Sequence, residues 1–266
     1  YFEESMTIAE ETGNRRGQGS SFHNTGNVHL ARGENSQALS YFRRSLNIFE
    51  QVSDKKGQAH SLNNIGSVLG RFGKHKQALS YYDKSLGLKI EINDIEGQAG
   101  TLGNIGVVYK DIGKYKRALD YYDQSSKLFE KIGDIQGKMK NLRNVGIVYK
   151  NSGEYEKALT YHKKSYEIAV DIGDPVALGA SYNNLGVVYK NMGRYSKALD
   201  YFQLVYKLAD EINNMVGKSD ALNNMGVVYE ALGKNHKALD YYMQSLTLVK
   251  EQGDKGSEAI SVMNLS

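Results

Sequence analysis

The sequence of 266 residues lacks cysteine entirely. This absence excludes disulfide bonds, thiolate zinc sites and a cysteine nucleophile, and it favours a reducing compartment, which predicts a cytoplasmic protein. No apolar run approaches the roughly 20 residues that a membrane-spanning helix needs. The formal net charge is only +4, and basic and acidic residues alternate along the chain. That charge is too small to indicate nucleic acid as the main ligand.

Catalytic motifs are missing as well. The sequence contains no phosphate-binding loop, no His-Glu-x-x-His motif and no nucleophile elbow. An active site needs a singular cluster of nucleophile, base and charge-stabilising group. Nearly every notable polar residue of this chain instead recurs at one position of a repeat. The sequence therefore predicts a protein that is not an enzyme, with no catalytic residues, no metal site and no cofactor.

The chain does contain an internal repeat with a period of 40 residues. Glycines, an Ala-Leu pair and a tyrosine recur in register through six units without one insertion. The two glycine series begin at Gly26 and Gly33, and the Ala-Leu pair and the tyrosine begin at Ala38 and Tyr41. Such strict self-similarity predicts one array of stacked repeats over residues 1–266.

Two amphipathic helices are predicted in each unit. In the fifth unit Tyr182, Leu185 and Met192 follow helical spacing, and a second helical pattern begins at Tyr195. An aspartate suited to cap the first helix precedes it in most units, at Asp54, Asp94, Asp134, Asp174 and Asp254. The only proline, Pro175, takes the first helical position, where its missing N–H costs nothing. Six complete hairpins are expected from about residue 14 to residue 253.

The two glycine series have different explanations. Gly73 and its equivalents fall where a left-handed residue ends the first helix. Gly66 and its equivalents lie inside that helix, where glycine costs about 1 kcal/mol relative to alanine. Their recurrence predicts a close crossing with the second helix, at Ala78 and its equivalents, that admits no larger side chain.

The pattern Asn-x-Gly-x-Val-Tyr, then Gly, then Ala-Leu-x-Tyr-Tyr-x-x-Ser-Leu resembles the tetratricopeptide repeat over the whole chain. The period exceeds the usual 34 residues. This longer form is similar to the arrays of kinesin light chains, Pins-type adaptors and bacterial signalling proteins. The resemblance implies an all-α fold, a right-handed superhelical solenoid of antiparallel hairpins that binds a protein or peptide in its concave groove.

Both ends of the sequence fall inside a repeat. Residues 1–12 align with a second helix and residues 256–266 with a first helix. The chain is therefore expected to be a fragment of a larger protein, with apolar terminal helices through which copies could associate end to end.

The resemblance also implies which residues line the groove, since first helices form the concave surface of tetratricopeptide folds. The side of each first helix opposite its apolar arc varies from unit to unit, as a surface that fits an asymmetric partner should. The candidate groove residues are His23, Asn27, His60, Asn63, Arg71, Val107, Lys110, Lys140, Arg143, Ile147, Lys150, Asn183, Val187, Lys190, Asn191, Asn223 and Val227.

Cations on this face concentrate in units three to five, beside an apolar row formed by Val107, Ile147, Val187 and Val227. We therefore predict a ligand segment with acidic and apolar residues, extended or helical. The alternative is an ordinary solvated face without a ligand, because single exposed apolar residues are common.

Three further questions stay open at the level of sequence. The asparagine ladder that begins at Asn24 either contacts a ligand backbone or satisfies backbone groups between neighbouring helices. His23 and His60 are expected to lie near each other, either as a pH-sensitive or metal-binding pair or as ordinary surface histidines. The array could instead be a regulatory module that controls an attached kinase, cyclase or DNA-binding domain, and RNA binding is a third function class.

Overall fold

The computed structural model describes residues 13–252, and every regular element in this range is an α-helix. Twelve helices within these residues form six hairpins with a regular spacing of 40 residues. They are α1 (Arg15–Ala31), α2 (Asn35–Gln51), α3 (Lys55–Arg71), α4 (His75–Glu91), α5 (Ile95–Asp111), α6 (Tyr115–Ile132), α7 (Ile135–Asn151), α8 (Tyr155–Asp171), α9 (Pro175–Asn191), α10 (Tyr195–Glu211), α11 (Met215–Ala231) and α12 (Asn235–Gln252). The all-α prediction is confirmed.

The described residues group into two compact units, residues 13–141 and residues 142–252, and the division falls within α7. In the first unit, Phe42, Ile65 and Leu69 belong to a continuous apolar core. In the second unit, Leu185 and Phe202 belong to another. The helices expected at residues 1–12 and 256–266 lie outside the described residues. None of the helices from residue 15 to residue 252 combines the length and apolar character that a bilayer span requires.

The helix boundaries follow the predicted capping residues. The carboxylates of Asp54, Asp94 and Asp134 each accept a hydrogen bond from the backbone N–H three residues later, at 3.1, 2.9 and 2.8 Å. Asp174 caps α9 in the same way, with Pro175 at the first position. Gly73 and its equivalents have φ between 70° and 80°, so they occupy the left-handed region as predicted. Asp254 lies outside the described range.

Removal of one cap should have a modest and local effect. We expect Asp134→Ala to lower the free energy of unfolding by about 1 kcal/mol, because the N–H of Gly137 loses its acceptor. Asp134→Asn keeps an acceptor oxygen and should lower the free energy of unfolding clearly less. Urea denaturation followed by far-UV circular dichroism measures both, and equal losses in the two variants would contradict this role of the side chain.

The glycines inside the first helices accommodate a ring from the second helix of the same hairpin. A Cβ atom added to Gly66 would lie 2.9 Å from the ring of Tyr82, and one added to Gly106 would lie 2.7 Å from that of Tyr122. The six residues that approach these glycines are Phe42, Tyr82, Tyr122, His162, Phe202 and Tyr242. Close helix packing is therefore the reason for the glycines, and the nearest atoms of the second helix belong to this ring.

A buried serine adds a polar link to most hairpins. The hydroxyls of Ser45, Ser85 and Ser125 donate to first-helix carbonyl groups of Gly19, Ala59 and Ala99 at 2.7–2.8 Å. Since a buried hydroxyl without a partner would be costly, the recurring serine of the Tyr-Tyr-x-x-Ser motif is explained by the scaffold.

Candidate peptide-binding face

The candidate groove residues all lie on first helices, and none of them is buried. We call this set of first-helix positions the groove face. The neighbouring positions that were assigned to the core behave differently: Leu185, Val188 and Tyr189 are buried in α9. In α9 the groove-face positions are thus less buried than these core positions.

His23 and His60 approach each other in the first unit, as expected. Their ring centroids are 6.3 Å apart in an edge-to-face arrangement. Burial, reinforced by His60, lowers the pKa of His23 to about 4. Burial also lowers the pKa of His60, and the ammonium of Lys89 acts in the same direction. Both rings are therefore neutral near pH 7, and no group of three or more metal-binding side chains occurs within the described residues.

The asparagine ladder connects consecutive first helices through side chains. The amide of Asn104 donates to the side-chain oxygen of Asn63 at 3.2 Å, and that of Asn224 donates to Asn183 at 2.9 Å. In the first hairpins Asn64 donates to Asn27 at 3.0 Å. These bonds favour a role within the scaffold. The acceptors are groove-face side chains, whereas the two alternatives from the sequence were a ligand backbone and backbone groups between neighbouring helices.

The groove face of the second unit carries three cations. Arg143 and Lys150 of α7 and Lys190 of α9 are cationic there, opposed by Asp220 and Glu230 of α11. The pKa of the enclosed His162 is lowered to about 4. Burial is the largest cause, and the positive charges of Lys150 and Arg143 act in the same direction. In the first unit the charge of Lys110 is partly compensated, since its ammonium lies 3.1 Å from Asp111.

The predicted apolar row is only partly available to a ligand. Val107, Ile147, Val187 and Val227 are half-buried. Val187 also packs against the core of the second unit. An apolar groove of about 270 Å³ also lies between α9 and α11. Its lining residues include Val176, Asn183 and Val216.

Sequence reasoning missed Val176 and Val216, which are 63% and 47% exposed. A signal was available at this position of the repeat. The first four repeats carry Arg16, Lys56, Glu96 and Gln136 at this position, and only the last two repeats carry valine. Two exposed valines at an otherwise polar position extend the groove face toward the first turn of α9 and α11.

Comparison with known families agrees with the repeat geometry. One family model described as tetratricopeptide repeat matches residues 1–51, 33–91, 57–131 and 138–211, and a second model with the same description matches residues 221–256. The chain belongs to the tetratricopeptide repeat family. No curated protein sequence matches this tetratricopeptide chain.

Solved structures share the tetratricopeptide fold at low sequence identity. A Rap protein in complex with Competence and Sporulation Factor is 15% identical with a TM-score of 0.70, covering 94% of this chain and 74% of that one. A STAND ATPase with a tetratricopeptide repeat sensor, from Pyrococcus horikoshii, is 19% identical with a TM-score of 0.67. The match covers 92% of this chain but 41% of that protein. A putative kinesin light chain of Podosopora anserina is 12% identical with a TM-score of 0.59, and the match covers 73% of this chain and 95% of that one.

The recurring tyrosines of this tetratricopeptide array serve the scaffold. Tyr109 stacks on Tyr121 with ring centroids 5.3 Å apart, and Tyr189 stacks on Tyr201 at 5.5 Å. Both pairs join the first and second helices of one hairpin. Such pairs add to the stability that burial provides. These rings therefore pack within the hairpins.

Proposed function

We propose that the groove face of this tetratricopeptide array holds a polypeptide segment with acidic and apolar side chains, in the cytoplasm and without catalysing a reaction. The observation that carries the proposal is the coexistence, on the first helices of the second unit, of Arg143, Lys150 and Lys190 with the open apolar groove at Val176 and Val216. Cations attract and orient an acidic segment, and apolar contacts hold it.

Charge reversal on this face tests the proposal. The probe is a short fluorescent peptide built from Glu-Leu-Gly-Glu repeats, with a matched peptide that carries glutamine in place of each glutamate. We expect the triple variant Arg143→Glu, Lys150→Glu and Lys190→Glu to weaken binding of the acidic peptide by about 30-fold or more, because three attractive pairs become repulsive. Fluorescence anisotropy measures the affinity, and circular dichroism verifies that the helices persist.

A matched control separates the groove face from net charge. Lys207, Lys234 and Lys250 are exposed residues on or next to the second helices of the same unit. Their combined reversal to glutamate changes the net charge equally and should alter the affinity by less than about threefold, since separated surface charges are screened. Equal losses in both triple variants, or no loss in the groove variant, would contradict the proposal.

A regulatory module is the second candidate. It is favoured by the shared fold with the tetratricopeptide sensor of the Pyrococcus horikoshii STAND protein. In that case, capture of a segment on the groove face would control an attached signalling domain. Both candidates share the binding step, which the charge-reversal experiment tests directly.

A further inference from the structure

A cavity of about 350 Å³ opens in the second unit, away from the groove face. Its walls include the rings of Tyr166 on α8, Tyr182 on α9 and Tyr201 on α10. The ring centroid of Tyr182 lies 5.6 Å from that of Tyr166 and 6.2 Å from that of Tyr201. We call this site the tyrosine pocket. Its volume is within the range of pockets that bind small ligand groups.

Elsewhere the array covers equivalent tyrosine rings with its own cations. Lys84 lies 5.7 Å from the ring centroid of Tyr81, and Lys164 lies 5.4 Å from that of Tyr161, each three residues later on the same second helix. In the fifth repeat this position is Leu204, which is 41% exposed. Tyr201 therefore lacks the cation that three of the other five repeats carry at this position, as Arg44, Lys84 and Lys164.

A second internal pair shows how a lysine binds such a ring. The ammonium of Lys218 lies 5.3 Å from the ring centroid of Tyr206 and 2.6 Å from a carboxylate oxygen of Asp210. One repeat earlier, the residues equivalent to Tyr206 and Lys218 are Tyr166 and Leu178. The ring of Tyr166 therefore has no lysine from this position, and within residues 13–252 no cation covers Tyr166, Tyr182 or Tyr201.

Carboxylates complete the tyrosine pocket. Glu167 and Asp200 line it together with one cation, Lys163, so the side chains at the pocket carry a net negative charge. A tyrosine face attracts an ammonium group within about 6 Å, and exclusion of water strengthens the attraction. The pocket thus offers the same two kinds of group that hold Lys218, a tyrosine ring and a carboxylate. No lysine of the described residues lies over its rings.

The combination occurs in one repeat. At the position of Tyr182 the other five repeats carry Phe22, Leu62, Leu102, Leu142 and Leu222. At the position of Leu204 they carry Arg44, Lys84, Gln124, Lys164 and Gln244. A feature required only for stacking of the repeats would be expected in several of them. The combination is therefore not part of the common scaffold.

We propose that the tyrosine pocket receives a lysine side chain from a partner polypeptide, with its ammonium group among the three rings and next to the carboxylates of Glu167 and Asp200. The site is independent of the groove face, because its walls come mainly from second helices. It also selects the opposite charge: a basic segment here, and an acidic one on the groove face.

The probe for this proposal is the peptide acetyl-Gly-Gly-Lys-Gly-Gly-amide, compared with a peptide in which norleucine replaces lysine. In the chain with isotope-labelled tyrosine rings, we expect the lysine peptide to shift the signals of Tyr166, Tyr182 and Tyr201 in a saturable manner at millimolar concentration. Tyr182→Leu, the residue of four other repeats, keeps the packing and should weaken binding about tenfold. Combined Glu167→Gln and Asp200→Asn should also weaken it about tenfold.

Removal of the competing cation should act in the opposite direction. Lys163→Gln introduces the residue found one repeat later, at Gln203, and should tighten binding of the lysine peptide about threefold. Equal shifts with the norleucine peptide would overturn the proposal, because the pocket would then be merely apolar. The absence of saturable shifts, unchanged binding in Tyr182→Leu, or binding of choline chloride but not of the lysine peptide would overturn it as well.

Discussion

Gly106→Ala is expected to destabilise the protein by about 2 kcal/mol, although alanine is the better helix former. The added methyl group would lie 2.7 Å from the ring of Tyr122, which is fully buried and cannot move aside without disturbing its neighbours. Overpacking of a well-packed core therefore outweighs the gain in helix propensity of about 1 kcal/mol. Urea denaturation followed by circular dichroism measures the difference in unfolding free energy.

The same helix contains the matched control. Gly100 also lies in α5, but no atom of a neighbouring side chain lies within 4 Å of the position of its added Cβ. Gly100→Ala should therefore stabilise the protein by about 1 kcal/mol, with the opposite sign to Gly106→Ala. In the background of Tyr122→Leu, the penalty for alanine at position 106 should largely disappear. The same penalty with and without the ring would show that another contact makes glycine necessary.

The fold could be predicted from the sequence because each repeat carries the same local signals. Helical spacing, the caps at Asp54 and Asp94, and the left-handed glycines all specify the same hairpin, and six copies reinforce the pattern. The partner of Gly66 could not be identified in this way. Ala78 recurs in every repeat and a ring-bearing residue recurs at the position of Tyr82, and only the three-dimensional crossing shows that the ring lies nearest to the glycine.

The candidate sites were predicted less completely, for a physical reason. Periodicity shows which side of a helix is outside the core, so the placement of Lys190 and Asn183 on the groove face follows from sequence. It does not show which side chains of different helices meet. The hydrogen bond from Asn224 to Asn183 and the convergence of Tyr166 with Tyr182 both join residues of neighbouring helices. They become apparent only when the hairpins are stacked.

His162→Phe is expected to reduce the sensitivity of the protein to mild acid. His162 takes the place of the phenylalanine or tyrosine found in the other repeats, and its side chain is 1% exposed. Burial, with Lys150 and then Arg143 acting in the same direction, lowers its pKa from 6.5 to about 4. Below pH 6.5 the unfolded chain therefore binds a proton that the folded protein does not. Stability falls as the pH drops, and the loss levels off below pH 4.

The shift corresponds to a loss of about 2 kcal/mol at pH 5 and about 3 kcal/mol near pH 4 relative to neutral pH, all of which His162→Phe should abolish. The pKa of His23 is also lowered to about 4, so a pH dependence of similar size should remain in the variant. Neither ring nitrogen of His162 has a hydrogen-bond partner in the described structure, so phenylalanine should also stabilise at pH 7. Urea denaturation between pH 7 and pH 4 measures both effects.

Tyr122→Phe is the control for the acid-sensitivity experiment, because it changes the equivalent ring without removing a histidine. Burial raises the pKa of Tyr122 further above its usual range, so this residue stays neutral from pH 4 to pH 7. The control can change stability at pH 7 but should not change its slope with pH. If His162→Phe kept the full slope of the original protein, protonation of the buried imidazole would not be the cause. The acid sensitivity would then arise from other groups that titrate in this range, such as His23 or carboxylates with favourable contacts in the fold.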